Sequence, residues 1–380
     1  MTTPLLEQPT RPETRTTAFT TWWRMVWVIV ELELRQRLRT TRWKAILATA
    51  FAVVSLVVLG SLYLSVVAFG GTYRGWSSAL YEILVGFLLF LGIIVAPTLA
   101  ATTINGDRKD ATLAVVQATS ITNSQLALGK LIGSWLASLA FVGVAAPYVI
   151  WGIVESPNGV AHGLAGVTVL IVLFACYAGI GLGFSAMTTR PAGSAVLTQA
   201  SVLFLILGLP IVFGLLFPAT TQTHTVIRPN TTFVDNPPQP PTSTCREVRE
   251  DREFHHHEHI WWLLAPNPFF IVADAAAPQR DPLDREAASS VASEISQVFS
   301  AVRAGPYIGS RYCADTTYTY PAVDPTDYSA RETAHETSKV GDSWYFGLTF
   351  YFVLGGIGFW VATRRLRVPA GKLARGVRIA

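Results

Sequence analysis

Long apolar runs separated by short polar segments dominate the pattern of hydrophobic and polar positions along the chain. Six runs are long enough to cross roughly 30 Å of hydrocarbon as helices. They cover approximately residues 44–69, 76–104, 126–154, 164–187, 195–217 and 344–363. The spacing of Thr122 and Gln125 is that of a capping box and marks the start of the third run. The pattern predicts an all-α polytopic membrane protein with six transmembrane helices.

Two different patterns precede the first run. Residues 1–19 are rich in Thr and Pro and lack the apolar centre of a signal peptide, which predicts a flexible cytoplasmic tail. Residues 20–43 have helical periodicity, with an apolar face and a largely basic face. These faces hold Trp23, Trp27, Val30, Leu34 and Leu38 on one side, and Arg24, Glu31, Arg35, Arg39 and Arg42 on the other. We predict an amphipathic interfacial helix; the alternative is a cytosolic lead-in to the first span.

A polar segment, residues 105–125, separates the second and third runs. It begins with four consecutive charged residues, Asp107, Arg108, Lys109 and Asp110. Asp107 is a good N-cap, and acidic groups are favoured in the first turn of a helix. The segment therefore predicts a short helix over about 107–119, with Leu113 and Val116 on one side. The charged end of this helix can supply contacts for a partner protein; the alternative is that 105–125 is only a topogenic loop.

A region of mixed character, residues 218–343, separates the fifth and sixth runs. Its first part is rich in Thr and Pro, which predicts loop. The apolar stretch at 260–277 is broken by Pro266 and Pro268, so it is too interrupted for a span and is typical of a re-entrant or interfacial hairpin. Residues 284–302 predict a helix, and the remainder up to residue 342 predicts loop.

Composition and charge define the class and the orientation. Hydrophobic residues make up 51% of the chain and charged residues 14%, compared with about 25% charged in soluble domains. Lys and Arg concentrate in the 20–44 and 105–130 segments, at residue 190 and in the 364–380 tail, whereas the short loops on the other side contain only Arg74. The positive-inside rule predicts two cytoplasmic termini, a basic cytoplasmic tail at 364–380 and an extracytoplasmic domain at 218–343.

The three cysteines fit this topology. Cys176 falls in the fourth run, where we expect a buried, inert thiol. Cys245 and Cys313 are the two cysteines of the 218–343 region. Because that region is predicted to face an oxidising compartment, we predict a disulfide between them; the alternative is two unpaired thiols.

A histidine-rich cluster, residues 255–259, is a candidate metal site. Imidazole and carboxylate groups at close spacing are ligands for Zn or Cu. Four histidines in five residues cannot all point one way on a helix, so a site would use two or three of them. We consider His255, His257 and His259, of which His255 and His259 form the best helical pair. The alternative is an exposed polar collar just outside the membrane, responsive to pH.

Two features inside the spans are candidates for function. Glu82 lies within the second run, where an ionisable group is a functional candidate by default; the alternative is that it reaches out to the interface. Glycines at 179, 183, 355, 356 and 358 allow close helix approach. They indicate packing within one subunit, with a subunit interface or a moving gate as the alternative.

The chain contains no phosphate-binding loop, because neither Gly129-Lys130 nor Gly371-Lys372 has the required upstream glycine or following hydroxyl. It also shows no Ser/His/Asp or paired-carboxylate arrangement typical of an enzyme. We therefore predict that the chain is not an enzyme and binds no nucleotide by that loop. A nucleic-acid partner is not predicted.

The architecture resembles the permease subunits of type 2 ABC exporters. The similarity covers the N-terminal helix, the six spans, the polar 105–125 turn and the domain between the last two spans. Its sharpest local part is the sequence GDRKDATL at 106–113, followed by Gly129-Lys130; an Asn-Pro element at Asn267 is a further part. The chain departs from the family where Ala111 replaces a usual Gly and where Asp stands for a common Glu.

This resemblance implies a coupling helix at 107–119 that docks on a separate cytosolic ATPase, where ATP and Mg are bound. Two permeases, identical or homologous, would enclose a path between their second and fifth spans. The location implied is the plasma membrane of a bacterium, with membrane lipids as neighbours. The apolar interior favours a lipid, an amphipathic drug or a hydrophobic peptide as cargo over an ion.

The alternative function is a non-transporting membrane protein whose histidine-rich domain senses or handles a ligand or metal. Co-purification with an ATPase would favour transport, whereas metal retention without an ATPase would favour this alternative. A secondary transporter is disfavoured, because the spans contain almost no ionisable residues to couple protons or sodium.

Overall fold

The computed structural model of the chain describes residues 15–110, 113, 119, 121–234, 242–278, 290–313 and 325–366. Within these residues, six helices are long and apolar enough to cross a membrane, which confirms the predicted number. These spans, numbered 1 to 6, are Thr41–Ala68, Tyr73–Lys109, Asn123–Glu155, Val160–Met187, Pro191–Thr220 and Trp344–Arg365. Residues 1–14 and 367–380, which hold most of the two predicted tails, lie outside the described residues.

The α-helices follow the chain in this order. They are α1 (Arg15–Leu38), α2 (Thr41–Leu62), α3 (Tyr73–Ala101), α4 (Thr103–Lys109), α5 (Asn123–Glu155), α6 (Val160–Met187), α7 (Pro191–Leu203), α8 (Leu209–Leu216), α9 (Pro268–Ala276), α10 (Val291–Ala304), α11 (Pro325–Glu336) and α12 (Trp344–Arg365). Two π-helical segments, Tyr63–Ala68 and Phe204–Gly208, extend α2 and join α7 to α8. Span 3 begins with the predicted capping box, in which Thr122 and Gln125 each bond the other's backbone.

The N-terminal helix α1 packs along span 3. Two glycines of span 3 make this approach possible, because a Cβ atom at Gly129 would lie 2.6 Å from Cβ of Ile29, and one at Gly133 would lie 2.9 Å from Cβ of Glu33. Ile29 and Glu33 are both buried. One face of α1 is therefore covered by the bundle.

The predicted helix over 20–43 is wrong in its bounds. It is divided at Thr40, whose backbone is extended and whose side chain accepts a hydrogen bond from the Trp43 amide to begin α2. On the predicted apolar face, Trp23 and Trp27 are exposed, whereas Val30 is buried. The side chains that the bundle covers are thus only partly those that the periodicity indicated.

Span 4 occupies the centre of the bundle and packs against spans 2, 3 and 6. It approaches the backbone of span 6 closely at the predicted glycines. A Cβ atom at Gly179 would lie 2.6 Å from the carbonyl oxygen of Gly355, and one at Gly183 would lie 2.6 Å from Cα of Gly358. Of the two interpretations of these glycines, packing within one chain is what the structure contains.

The insert, defined as residues 221–343, begins with two antiparallel strands. Strand β1 (Thr221–Val234) pairs with β2 (Thr242–His255) along its whole length, with Thr221 opposite His255. The prediction of an all-α fold with loop here is wrong. The first strand is rich in β-branched residues, which favour strands. Pro229 obscures this signal, but a two-stranded sheet tolerates proline because each strand has a free edge.

Among the described residues, the rest of the insert is mostly helical. A 3-10 turn, His257–His259, precedes the apolar stretch. The stretch itself forms a second 3-10 turn, Trp261–Leu263, and then α9, which Asn267 caps. The predicted helix at 284–302 corresponds to α10, which begins at Val291 after the cap Ser290; residues 279–289 lie outside the described residues. The prediction of loop up to residue 342 is wrong for Pro325–Glu336, which form α11 and pack on α10.

Candidate functional site

A buried lysine joins three elements at one end of the bundle, called here the ion-pair end. The Lys130 Nζ atom of span 3 lies 2.6 Å from Oε1 of Glu33 on α1 and 2.6 Å from Oδ2 of Asp107 on α4. The Lys130 side chain is only 3% exposed. Arg37 lies 3.9 Å from the second oxygen of Glu33; burial lowers its pKa, and the Glu33 carboxylate opposes that shift. Lys130 thus bridges two carboxylates from different helices.

Polar contacts also tie α4 to the end of span 4. Nη1 of Arg108 donates to the carbonyl oxygens of Ala186 and Thr188, each at 3.4 Å. The side-chain amide of Asn105 donates to the Thr188 hydroxyl at 2.9 Å, and its backbone N–H donates to the Ser185 hydroxyl at 3.3 Å. The α4 helix is therefore held from two sides, by α1 and span 3 and by span 4.

The prediction that Asp107 caps a new helix is wrong. Asp107 lies within α4, which follows α3 after the single residue Thr102 and ends at Lys109. The helix can begin early because the Ser185 hydroxyl accepts hydrogen bonds from its first backbone amides, at Ile104 and Asn105. Most of the remaining predicted 107–119 helix lies outside the described residues.

The predicted partner-contact residues divide into internal and exposed ones. Asp107 and Arg108 make contacts within the chain, as described above, and Leu113 is buried. Lys109 and Asp110 are exposed. Val116 lies outside the described residues.

Glu82 holds the start of an insert helix. Its Oε2 atom accepts a hydrogen bond from the Val291 amide at 2.8 Å, and Oε1 accepts one from the Ala292 amide at 3.1 Å. These are the first two amides of α10, where a carboxylate also interacts favourably with the helix dipole. Glu82 therefore fastens the insert to span 2, a role that neither sequence interpretation included.

A second carboxylate fastens the insert to span 6. Asp274 of α9 is 1% exposed. It accepts hydrogen bonds from the Ser296 hydroxyl and from the backbone amides of Gly341, Ser343 and Trp344, the last three at 2.9, 2.7 and 2.8 Å. Asp274 thus joins α9, α10 and the first turn of span 6.

The side chains of the histidine cluster fall into two separate groups. Among the predicted ligands, His255 and His257 have their rings 4.5 and 6.0 Å from the ring of Phe217. The groups that come together are instead His256, Glu258 and His259, each with a ligand atom within 4.8 Å of the others. The predicted helical pair of His255 and His259 is wrong, because His255 is the last residue of β2 and a 3-10 turn follows.

The predicted disulfide is present between Cys245 and Cys313, whose Cα atoms are 5.9 Å apart. It connects β2 to the segment after α10. That segment also touches β1, since the Arg311 amide donates to the Ile227 carbonyl at 2.9 Å. Cys176 is buried and free, as expected. The bridge therefore fixes the hairpin to the helical part of the insert.

An apolar cavity of about 210 Å³ lies between spans 4, 5 and 6. Side chains such as Phe184, Met187, Leu205 and Ile357 line it, and Ser201 is its polar member. A cavity of this character suits a hydrocarbon group. A second cavity, of about 150 Å³, adjoins Glu82 and lies between span 2, α9 and α10.

The chain matches no protein-family model and no curated protein. Its resemblance to type 2 ABC permeases accordingly rests on its own motifs and architecture. The function is argued below from the contacts of individual residues.

Sequence reasoning missed the partners of three buried charges, Glu33, Lys130 and Asp274. Lys130 offered a signal, because a lysine in the second turn of a long apolar helix requires a counter-charge. Asp274 offered one too, since it follows the apolar run from Phe269 to Ala273. Identifying the partners requires the tertiary structure.

Proposed function

We propose that the chain is the membrane-spanning permease subunit of an ATP-driven ABC exporter and works with separate ATPase subunits. The observation that carries this proposal is the joint around Lys130. It links α1, α4 and span 3 through two 2.6 Å ion pairs at the start of the polar 105–125 segment. A force applied to that segment would therefore reach span 2, span 3 and α1 together.

The orientation belongs to this proposal. The described parts of the basic segments meet at the ion-pair end. There, Arg108 contacts the carbonyl oxygen of Thr188 and lies close enough to Arg365 for the two charges to interact. The insert departs from the other end. A positive-inside orientation puts the ion-pair end in the cytoplasm, within reach of an ATPase, and both termini on that side.

The ATPase contact would lie beside this joint. Lys109 and Asp110 are exposed at the end of α4 and offer one charge of each sign to a partner. Asp107 and Arg108 are better suited to transmission than to docking, because their contacts are internal. The partner surface proposed here is therefore smaller than the six residues named from the sequence.

A second copy, or a homologous permease, completes the proposed exporter. Span 5 leaves several large apolar side chains exposed, among them Leu207, Ile211 and Leu215. Such a face can contact lipid or a second subunit. The apolar cavity between spans 4, 5 and 6 supports a lipid or another hydrophobic compound as cargo.

A pull-down of the full chain in mild detergent tests the proposal. The bound proteins are assayed for ATP hydrolysis, and we expect an ATPase to co-purify. Removal of both exposed charges, in Lys109→Ala/Asp110→Ala, should reduce the bound ATPase activity. Arg74→Ala is the matched control, since Arg74 is an exposed charge in the first turn of α3, at the opposite end of span 2.

Asp107→Ala/Arg108→Ala should act differently from the exposed pair. It should leave some ATPase bound but reduce ATP hydrolysis stimulated by the permease, because it damages the joint. Absence of any ATPase from the unmodified chain would refute the exporter proposal. The non-transporting alternative would then be favoured by the group of His256, Glu258 and His259.

A further inference from the structure

We propose that the base of the hairpin is a binding site for a divalent transition metal, with Zn²⁺ as the ion tested first. The ligands are His256, Glu258 and His259, with His224 as a positioning residue. This site is independent of the exporter proposal, because it lies in the insert. It also differs from the ligand set that the sequence indicated.

The three ligands come from one short stretch whose backbone is fixed. The His256 amide donates to the carbonyl oxygen of Thr220 at 2.9 Å, which continues the pairing of the hairpin. Glu258 and His259 lie in the following 3-10 turn. Imidazole and carboxylate are suitable ligands for Zn²⁺, and ligand atoms bonded to it at 2.0–2.1 Å lie about 3.4 Å apart. The ligand atoms of the three residues now lie within 4.8 Å of one another, so modest rotation of the side chains would bring them to this separation.

His256 is already held in the manner of a metal ligand. Its Nδ1 atom lies 2.6 Å from Oε1 of Glu258, and its Nε2 atom lies 2.8 Å from Nε2 of His224. A metal ion bound to Nδ1 would replace the proton that Nδ1 shares with the carboxylate. The Nε2–H group would then donate to His224, which is the outer hydrogen bond that ligating histidines usually make.

Glu258 supplies a second observation that points to a ligand. Its Oε2 atom is buried and has no hydrogen-bond partner among the described residues. The carboxylate rests against Gly305, where a Cβ atom would lie 2.4 Å from Oε2. A buried carboxylate oxygen without a donor is costly, and coordination of a cation would satisfy it. His259 is exposed and gives the ion access from solvent.

The same cluster provides its own controls. His255 and His257 lie within two residues of the ligands but pack on Phe217, and Nδ1 of His257 lies 3.0 Å from the carbonyl oxygen of Val302. A histidine-rich surface that binds metal without a defined site would use all four histidines. A built site would distinguish His256 and His259 from His255 and His257.

The test uses the purified full chain in detergent after treatment with a chelator. Zn²⁺ affinity is measured by competition with a chromophoric chelator, and Co²⁺ absorption reports the coordination. His256→Gln, Glu258→Gln and His259→Gln should each weaken binding by at least about 100-fold, whereas His255→Gln and His257→Gln should leave it unchanged. His224→Gln should weaken binding about 10-fold, the lower end for outer-shell partners, and shift the Co²⁺ spectrum.

Retention of the Cys245–Cys313 bridge, measured by thiol alkylation, confirms that each variant is folded. The proposal is overturned if the unmodified chain does not bind Zn²⁺, or if the variants of His255, His256, His257 and His259 all lose affinity equally. Because no ATPase is present, this result does not depend on the outcome of the pull-down.

Discussion

The two ends of the bundle neutralise carboxylates in different ways. At the ion-pair end, Glu33 and Asp107 share the ammonium group of Lys130. At the opposite end, Glu82 and Asp274 accept hydrogen bonds from backbone amides at the starts of α10 and span 6. Side-chain ion pairs can exchange partners, whereas backbone donors are fixed by their helices. The comparison indicates a joint that can rearrange at one end and a rigid attachment at the other.

The largest effect should come from Lys130→Met. It leaves the buried Glu33 with only Arg37, at 3.9 Å, as a counter-charge, and breaking a buried ion pair in this way costs about 3–5 kcal/mol. The free energy of unfolding, measured by denaturation in mixed micelles, should fall by this amount. The triple variant Lys130→Met/Glu33→Gln/Asp107→Asn should recover much of the loss. If the triple variant is as unstable as the single one, packing rather than charge holds the joint.

Asp274→Ala should have the next largest effect. It removes the acceptor for three backbone amides and one hydroxyl, and a buried donor left unsatisfied costs about 1–3 kcal/mol. We expect faster hydrogen exchange at the Ser343 and Trp344 amides, with the ion-pair end unaffected. Asp274→Asn keeps one acceptor oxygen, and its exchange rates at these amides should lie between those of the unmodified chain and those of Asp274→Ala. Equal acceleration at both ends of the bundle would contradict a local attachment.

Glu82→Gln should have the smallest effect. The amide oxygen still accepts one hydrogen bond, but the charge at the helix start is lost, which is worth about 0.3–1 kcal/mol. Exchange at the Val291 and Ala292 amides should rise slightly. Glu155→Gln is the matched control, because Glu155 is a partly exposed carboxylate at the end of span 3. Among the described residues, its side chain accepts a hydrogen bond only from the Tyr73 hydroxyl. Similar exchange in both variants would show that Glu82 does not hold α10.

The spans and the disulfide could be predicted because their signals are local or leave no choice. A window of twenty apolar residues identifies a span regardless of its neighbours. Only Cys245 and Cys313 were available in the insert, so the pairing had one solution. The capping box at Thr122 is likewise local, since its two partners are three residues apart.

The contacts of the candidate sites could not be predicted because they join distant parts of the chain. Lys130 and Glu33 are 97 residues apart, and Glu82 and Val291 are 209 apart. The hairpin was missed because polar strands with a proline resemble loop. That error carried over to the histidines, since the ligand set changes when His255 ends a strand instead of lying on a helix.

The backbone contact between spans 4 and 6 has a consequence for biosynthesis. Gly179 and Gly183 meet their partners Gly355 and Gly358 only after span 5 and the whole insert have been made. Until then, the glycine groove of span 4 must be occupied by lipid or by the insertion machinery. Span 6 therefore closes this part of the core only after the insert has been made, and a chain truncated before Trp344 would leave that groove open to quality-control proteases.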